Sequence, residues 1–323
     1  MEYKNIKVNK VPLLEVSNSV GMKVHFSGSG AGVVSIKLDG KPMTVSPIVP
    51  TNFLVRNHYY GKIIGPIAGL VIDGKVMIED NDYHLELNHG KDTLHNGTYS
   101  LSNIRFSSRA YFGREAFSIL YSFKKKKMKD GLPGNIQYFI SYTIADQKNE
   151  MMIDIRAISD DKTPMLLTSN NCFCLGEENI NNLKLEIPSE RFINISPDDL
   201  TYLEEKDVNK EMDFQKMKNL QRDIHAESLS KGKINGYDHY YKLRKEQIPI
   251  KLEGSKYGLE IISNFEGVHI YTGNDINEIK STNSLEKSRR GIVIAPMDNP
   301  LQIPLMEKSI PYHKQILYKF YRK

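Results

Sequence analysis

Short runs of alternating, β-branched and aromatic residues recur along the whole of this chain, and they leave little room for anything but a sheet protein. LLEVSN, MKVHFSG, VVSIKLDG, YHLELNH, NIQYFISYTI, MMIDIRAI, NLKLEI, YYKLRK, YGLEIIS, GVHIYTG and GIVIAP are rich in Val, Ile, Tyr and Phe, and most are closed by Gly, Asn, Asp or Pro. Strands at this density pack as a sandwich or close as a barrel. The best helical candidate, residues 209–224, places Met212, Gln215 and Leu220 without a clean apolar stripe, so an irregular crossing segment is expected there. No fixed-period repeat and no low-complexity linker divides the chain. All-β sandwiches commonly run past about 200 residues as one unit, so residues 1–323 are expected to form a single large, all-β, antiparallel sandwich domain.

Composition narrows the function classes. With 40% hydrophobic and 26% charged residues the chain reads as soluble and globular, and residues 1–25 contain no apolar run that could target or anchor it. A cytoplasmic location without membrane attachment is expected. The formal charge of +5 has one visible focus, Lys124 to Lys127 with Lys129, between SILYSF and the turn signal DGLPGN. That placement describes a solvated hairpin tip. Nucleic-acid binding calls for a basic surface with a recognisable motif or stacking aromatics, and neither is visible. Cys172 and Cys174 lie two apart, which sets them on one face of a strand and suits neither a disulfide nor a zinc site, so both are read as reduced packing thiols. Gly28, Gly30 and Gly32 hint at a phosphate-binding loop, but a strand, VVSIKL, follows where a helix is required. They read as a bend between strands, and neither a metal nor a cofactor is expected.

A series of longer landmarks then runs in order: YYGKIIGPIAG (59–69), NHGKDTLHNG (88–97), TPMLLTSNNCFCLG (163–176), MDF (212–214), GYDHYY (236–241), VHIYTGN (268–274) and RRGIVIAP (289–296). Their order and spacing, with a closing hydrophobic strand at 315–321, resemble the galactose mutarotase, or aldose 1-epimerase, family across nearly the whole chain. The resemblance implies the galactose mutarotase-like supersandwich and a site for a small-molecule sugar, in a monomer or homodimer. Function does not follow from the fold alone, because sites are grafted on folds and can be lost from them.

Interconverting the α and β forms of an aldose requires removing a proton from the anomeric hydroxyl while donating one to the ring oxygen. Positioned acid and base groups typically contribute on the order of 10²–10⁴ each in rate. Carried over from the resemblance, the first family histidine falls on His95, with Asn88 before it at the family's spacing, and the sugar-binding aspartate falls on Asp238. The general-acid histidine falls on Asn170, the catalytic glutamate on Ala295, and two arginines on Leu70 and Pro66. Asn170 keeps hydrogen-bonding capacity but no proton that titrates near neutrality. Ala295 and Leu70 keep nothing polar. Acid and base act as a unit, so losing both argues against the ordinary reaction.

His95 and Asn170 are therefore the candidates for whatever chemistry remains, and Asp238, Asn88, Phe173 and Tyr237 the candidates for holding a sugar. His239 reads as a packing residue. Asp298, His58 and Arg56 are alternatives for a lost catalytic group. The chain has no tryptophan, so Phe173, Tyr237, Tyr240 or Tyr60 would have to supply an aromatic platform for the C–H face of a sugar ring; each has core packing as its alternative. The favoured expectation is a carbohydrate-binding relative with little or no ordinary mutarotase activity. The alternative is an active isomerase of the aldose 1-epimerase type, with rewired acid and base groups and an unusual or phosphorylated substrate. A third reading is a scaffold whose cleft is filled by side chains.

Overall fold

The computed structural model describes residues 1–47, 50–56, 58–274 and 288–323. Three antiparallel sheets dominate. The N-terminal sheet joins Glu2–Val8, Val11–Ser17, Met22–Ser27, Gly32–Leu38 and Lys41–Pro42 in simple meander order. A nine-stranded sheet runs Ser107–Phe112, Ala116–Lys125, Ile136–Ala145, Glu150–Ser159, Tyr312–Arg322, Tyr257–Ser263, Ile250–Glu253, Lys184–Glu186, Lys218–Asn219. A six-stranded sheet runs Cys172–Phe173, Ile292–Met297, Gly267–Tyr271, Asp238–Lys242, Arg191–Ile195, Tyr202–Asp207. Among the described residues the only helical elements are short 3₁₀ turns. None is long and apolar enough to cross a membrane.

Period-2 patterning makes this a sandwich. In Ile136–Ala145 the residues Ile136, Tyr138, Ile140, Tyr142 and Ile144 are buried while their alternates are largely less so. This face joins one continuous hydrophobic cluster with Val268, Ile270, Ile292 and Ile294 of the six-stranded sheet and with Val16, Val24 and Ile36 of the N-terminal sheet. Burying each such side chain contributes roughly 1.5–3 kcal/mol, so this interface fixes how the large sheets face each other. Tyr142 adds a polar tie by donating from its hydroxyl to the Ala31 carbonyl at 2.6 Å.

The glycine cluster bends the chain between Met22–Ser27 and Gly32–Leu38. Gly30 has φ +65°, and a Cβ there would meet the Lys62 side chain at 2.8 Å. Residues 209–224 form no α-helix; they contain the short strand Lys218–Asn219 and the 3₁₀ turn Leu220–Arg222. One expectation needs correction. Of the lysines at the proposed solvated tip, Lys125 turns inward, is 5% exposed, and donates to Asp130 at 2.8 Å and to the Leu132 carbonyl at 3.1 Å. It continues the inward series Phe117, Ile119 and Tyr121 along Ala116–Lys125, so the strand's alternation leaves it no route outward. Both cysteines are free and buried.

The strand Ile292–Met297 is buried at every position, one face in the core and the other at the bottom of a recess. Ile292 and Ile294 enter the main core. Val293, Ala295 and Met297 point the other way, into a pocket.

Candidate functional site

The floor of this pocket follows from the register of the six-stranded sheet. Ala295 lies opposite His269, Val293 opposite Tyr271, and Tyr271 opposite Asp238. On the far side of Ile292–Met297 the segment before Cys172–Phe173 runs alongside: Ile294 N–H donates to the Asn171 carbonyl at 3.4 Å, and the Thr168 hydroxyl donates to the Pro296 carbonyl at 2.8 Å. The Ala295 methyl thus sits between Asn170 on one side and His269 on the other. The walls come from loops that carry Tyr59, Tyr60, His95 and Leu200 and from Leu70 and Leu94, in two short paired strands. The cavity measures about 280 Å³, just below the roughly 300–1,000 Å³ typical of ligand pockets. Side chains do not fill it, unlike the filled cleft considered from sequence.

His95 is set by backbone geometry. Its φ is +54°, followed by Asn96 at +65° and Gly97 at +62°, three successive left-handed residues. Such conformations are sparsely populated by non-glycine residues and persist where surrounding contacts hold them. Here Gly69 supplies the contacts: the His95 N–H donates to the Gly69 carbonyl at 2.9 Å, and the Gly69 N–H donates to His95 Nδ1 at 3.0 Å. An Nδ1 that accepts leaves Nε2 to carry the ring proton. Burial, reinforced by His269 nearby, lowers the His95 pKa to about 4, so at neutral pH the ring is an uncharged hydrogen-bond donor. Tyr59 packs against it edge to face at 4.6 Å.

Asp238 opens its strand and turns to the pocket, while His239 turns to the opposite face, 1% exposed, against Phe192. Asp238 Oδ1 lies 2.7 Å from His269 Nε2. A carboxylate only accepts, so Nε2 donates. His269 Nδ1 lies 3.2 Å from the Tyr202 hydroxyl, completing a Tyr202–His269–Asp238 chain. Asp199, also in the wall, accepts from Thr201; hydrogen bonds from Ser196 and Thr201 hold it below the usual carboxylate range. No lysine or arginine lines the pocket among the described residues. Among them too, no cluster of three or more His, Cys, Asp or Glu could hold a metal ion.

Seven positions singled out from sequence therefore line the pocket: His58, Tyr60, Leu70, His95, Asn170, Asp238 and Ala295. Others lie elsewhere. Phe173 is fully buried and packs edge-on to Tyr318 at 5.3 Å in the main core. Tyr237 is fully buried against Phe214 and donates its hydroxyl to the Glu211 carbonyl at 3.0 Å. Neither faces the cavity, because each is the strand neighbour of a residue that does or that shares its sheet face, and neighbours alternate. Asn88 is outside the wall as well. Both ends of its amide are spent on Leu94, accepting from its N–H at 2.7 Å and donating to its carbonyl at 3.1 Å, which fixes the approach to His95.

Tyr240 is buried in a neighbouring apolar cluster, and Asp298 is buried with Lys314 at 2.6 Å. Arg56 is exposed and outside the wall. His58 and Tyr60 do line the pocket. Burial, then the charge of Lys62, lowers the His58 pKa to about 3. His269, Tyr202 and Asp199 went unremarked in the sequence, although His269 stands in the landmark VHIYTGN.

Fold and pocket together define a β-sandwich protein with a cavity on the face of one sheet. A family model described as aldose 1-epimerase matches residues 12–303, and the chain belongs to that family. Galactose mutarotase of Sus scrofa is 24% identical over 234 residues, spanning 69% of this chain and 64% of that protein. The Homo sapiens galactose mutarotase is 24% identical over 232 residues, with the same coverage. The match thus spans a little under two thirds of the length of these relatives. Among solved structures, a galactose 1-epimerase from Lactobacillus acidophilus NCFM superposes with TM-score 0.89 at 21% identity, covering 99% of each chain. A GalM/aldose epimerase homologue from C. elegans gives 0.84 at 19% identity, again covering 99% of each. These likenesses establish the fold.

Proposed function

We propose that this protein binds a sugar or sugar derivative in the Asp238–His95 pocket and has little or no ordinary mutarotase activity. The observation that carries the reading is the row Asn170–Ala295–His269 across the pocket floor. Opening a sugar ring needs one group to take the anomeric proton while another protonates the ring oxygen. At the centre of this floor stands a methyl, flanked on one side by a carboxamide that does not titrate. His95 offers a donor from an uncharged ring, which suits holding a hydroxyl better than moving its proton. Asp238 presents a carboxylate, 28% exposed, for sugar hydroxyls, and Tyr59, Tyr60 and Tyr271 offer ring faces or edges for a sugar's C–H groups.

The unit proposed to do this is the single domain 1–323, as a monomer or homodimer in the cytoplasm and without a cofactor. The shared hydrophobic core, which draws on all three large sheets, supports one folding unit. A thermal-shift and calorimetric screen across neutral sugars, sugar phosphates and sugar acids tests the binding; no response to any of them would remove the reading.

One observation favours the second reading, an isomerase with rewired groups. His269 is the cross-strand neighbour of Ala295, donates to Asp238 at 2.7 Å and meets the Tyr202 hydroxyl through its other nitrogen at 3.2 Å, so the imidazole would take a sugar's proton by way of that hydroxyl, which passes its own proton to Nδ1 as it accepts the sugar's. Its mark would be mutarotation that disappears in His269→Gln while sugar binding persists.

A further inference from the structure

We infer that the preferred ligand is an uncharged monosaccharide that ends in a methyl or alkyl group where the parent hexose ends in a hydroxyl, as in a 6-deoxy sugar (CH3 for CH2OH) or an alkyl glycoside (O-alkyl for OH). This rests on the reading of the pocket as a sugar site and specifies what that site selects.

The wall is divided. Val293, Ala295 and Met297, on one face of a single strand, give a strip of C–H groups at the bottom of the floor, each about 2% exposed, with Tyr60 and Tyr271 packed against the Val293–Ala295 end. Leu70 and Leu94 lie directly opposite each other in a two-stranded pairing and give a second such patch beside His95. The polar groups stand at the margins of these strips. Asp238 and His269 lie on one side of the floor, with Asn170 and Thr168 on the other. A monosaccharide that reaches both margins crosses the Ala295 methyl with a ring C–H or with a substituent. A hydroxyl there loses its water and gains no partner, because a methyl neither donates nor accepts. A methyl or methylene in the same place is removed from water at no polar cost.

Charge points the same way. Asp199 and Asp238 both face the cavity, and among the described residues no lysine or arginine does. Lys62, which influences His58, is buried with its ammonium 5.1 Å from the Phe53 ring and is not part of the wall. Lys91, whose charge acts on Asp199, is likewise not part of the wall, so among the described residues a phosphate or carboxylate on the ligand would meet carboxylates with no cation in the wall itself. Phosphate-binding sites are built from guanidinium, ammonium or clustered backbone N–H groups.

The test is calorimetric titration of the full chain with matched pairs: a 6-deoxyhexose against its parent hexose, and a methyl glycoside against the free sugar. A hexose 6-phosphate and a hexuronic acid complete the set. The expected result is that one hydrocarbon-bearing member binds at least roughly tenfold more tightly than its parent, the size of effect one methyl group commands in an apolar pocket. Which pair responds distinguishes the deoxy sugar from the alkyl glycoside. The anionic sugars are expected to bind more weakly than any neutral one. Ala295→Ser, which places a hydroxyl at the centre of the strip, should reduce the preference by about half or more. Equal or tighter binding of the parent sugars, or tightest binding of the phosphate or uronate, overturns the inference while leaving a sugar site in place. Failure of every saccharide to bind overturns both.

Discussion

Replacing Asp238 by alanine removes the one pocket carboxylate that is tied to a histidine, and the structure allows its two consequences to be weighed separately. The first is stability. The Asp238–His269 pair is only partly exposed, with side chains 28% and 17% accessible, so it falls between an exposed ion pair, worth about 0.2–1 kcal/mol, and a buried one. Its loss should lower the melting temperature by no more than about 4 °C in a chain of this size. The second is affinity. A hydrogen bond to a charged group contributes about 1.5–3 kcal/mol, so a sugar held by this carboxylate should bind roughly 10–150-fold more weakly. Asp238→Asn keeps the shape and an oxygen that can accept from His269, but loses the charge, and should fall between wild type and Asp238→Ala. Calorimetry and thermal unfolding on the same preparations measure both quantities. Unchanged affinity in a folded Asp238→Ala protein would refute the assignment. A melting temperature lowered by more than about 10 °C would show that the residue chiefly supports the fold.

Other expectations concern single residues. Installing both proton-transfer groups, in Asn170→His with Ala295→Glu, should raise mutarotation measurably above wild type by polarimetry; a folded double variant with no gain would mean that these two positions are not where the chemistry is missing. His239, 1% exposed, has its pKa lowered to about 4 by burial. The unfolded chain therefore binds more protons between about pH 6.5 and pH 4, and stability should fall as pH drops through that window, by up to about 3 kcal/mol at ~1.4 kcal/mol per unit. Urea titrations at pH 7 and pH 4 should show a smaller difference in His239→Phe, and an unchanged difference would contradict the assignment. Gly61 has φ +73°, receives Val33 N–H on its carbonyl, and donates to the Asn170 carbonyl at 2.7 Å. A Cβ there would stand 2.1 Å from the Val33 carbonyl oxygen, so Gly61→Ala should destabilise by at least about 1–3 kcal/mol, and an unchanged denaturation midpoint would count against that packing.

The sheets were legible because alternation and turn residues are local signals: NIQYFISYTI and GIVIAP became the strands Ile136–Ala145 and Ile292–Met297. Part of the site was legible through motif order, which leads to His95, Asn170 and Asp238. The two misplaced aromatic residues, Phe173 and Tyr237, share a cause. Motif position selects a segment, whereas facing is set by the two-residue period within it. Since Asp238 faces the pocket, Tyr237 and His239 must turn away. The same rule applies to Lys125, whose place in the series Phe117, Ile119, Tyr121 already set it inward. Applied consistently, alternation alone could have made those corrections. His269 was hidden for a different reason. Within VHIYTGN it is one more strand residue, and its significance comes from lying beside Ala295 and within 2.7 Å of Asp238, relations created by strand register across separate segments. Tyr202 and Asp199 likewise reach the pocket only through tertiary structure.

The central claim, sugar binding without paired proton transfer, is tested most directly by following freshly dissolved α-glucose and α-galactose by polarimetry or exchange NMR with wild-type protein at micromolar concentration. The account predicts decay at the buffer rate. Rapid, concentration-dependent mutarotation would contradict it, and if that activity vanished in His269→Gln it would assign proton transfer to the histidine beside Ala295.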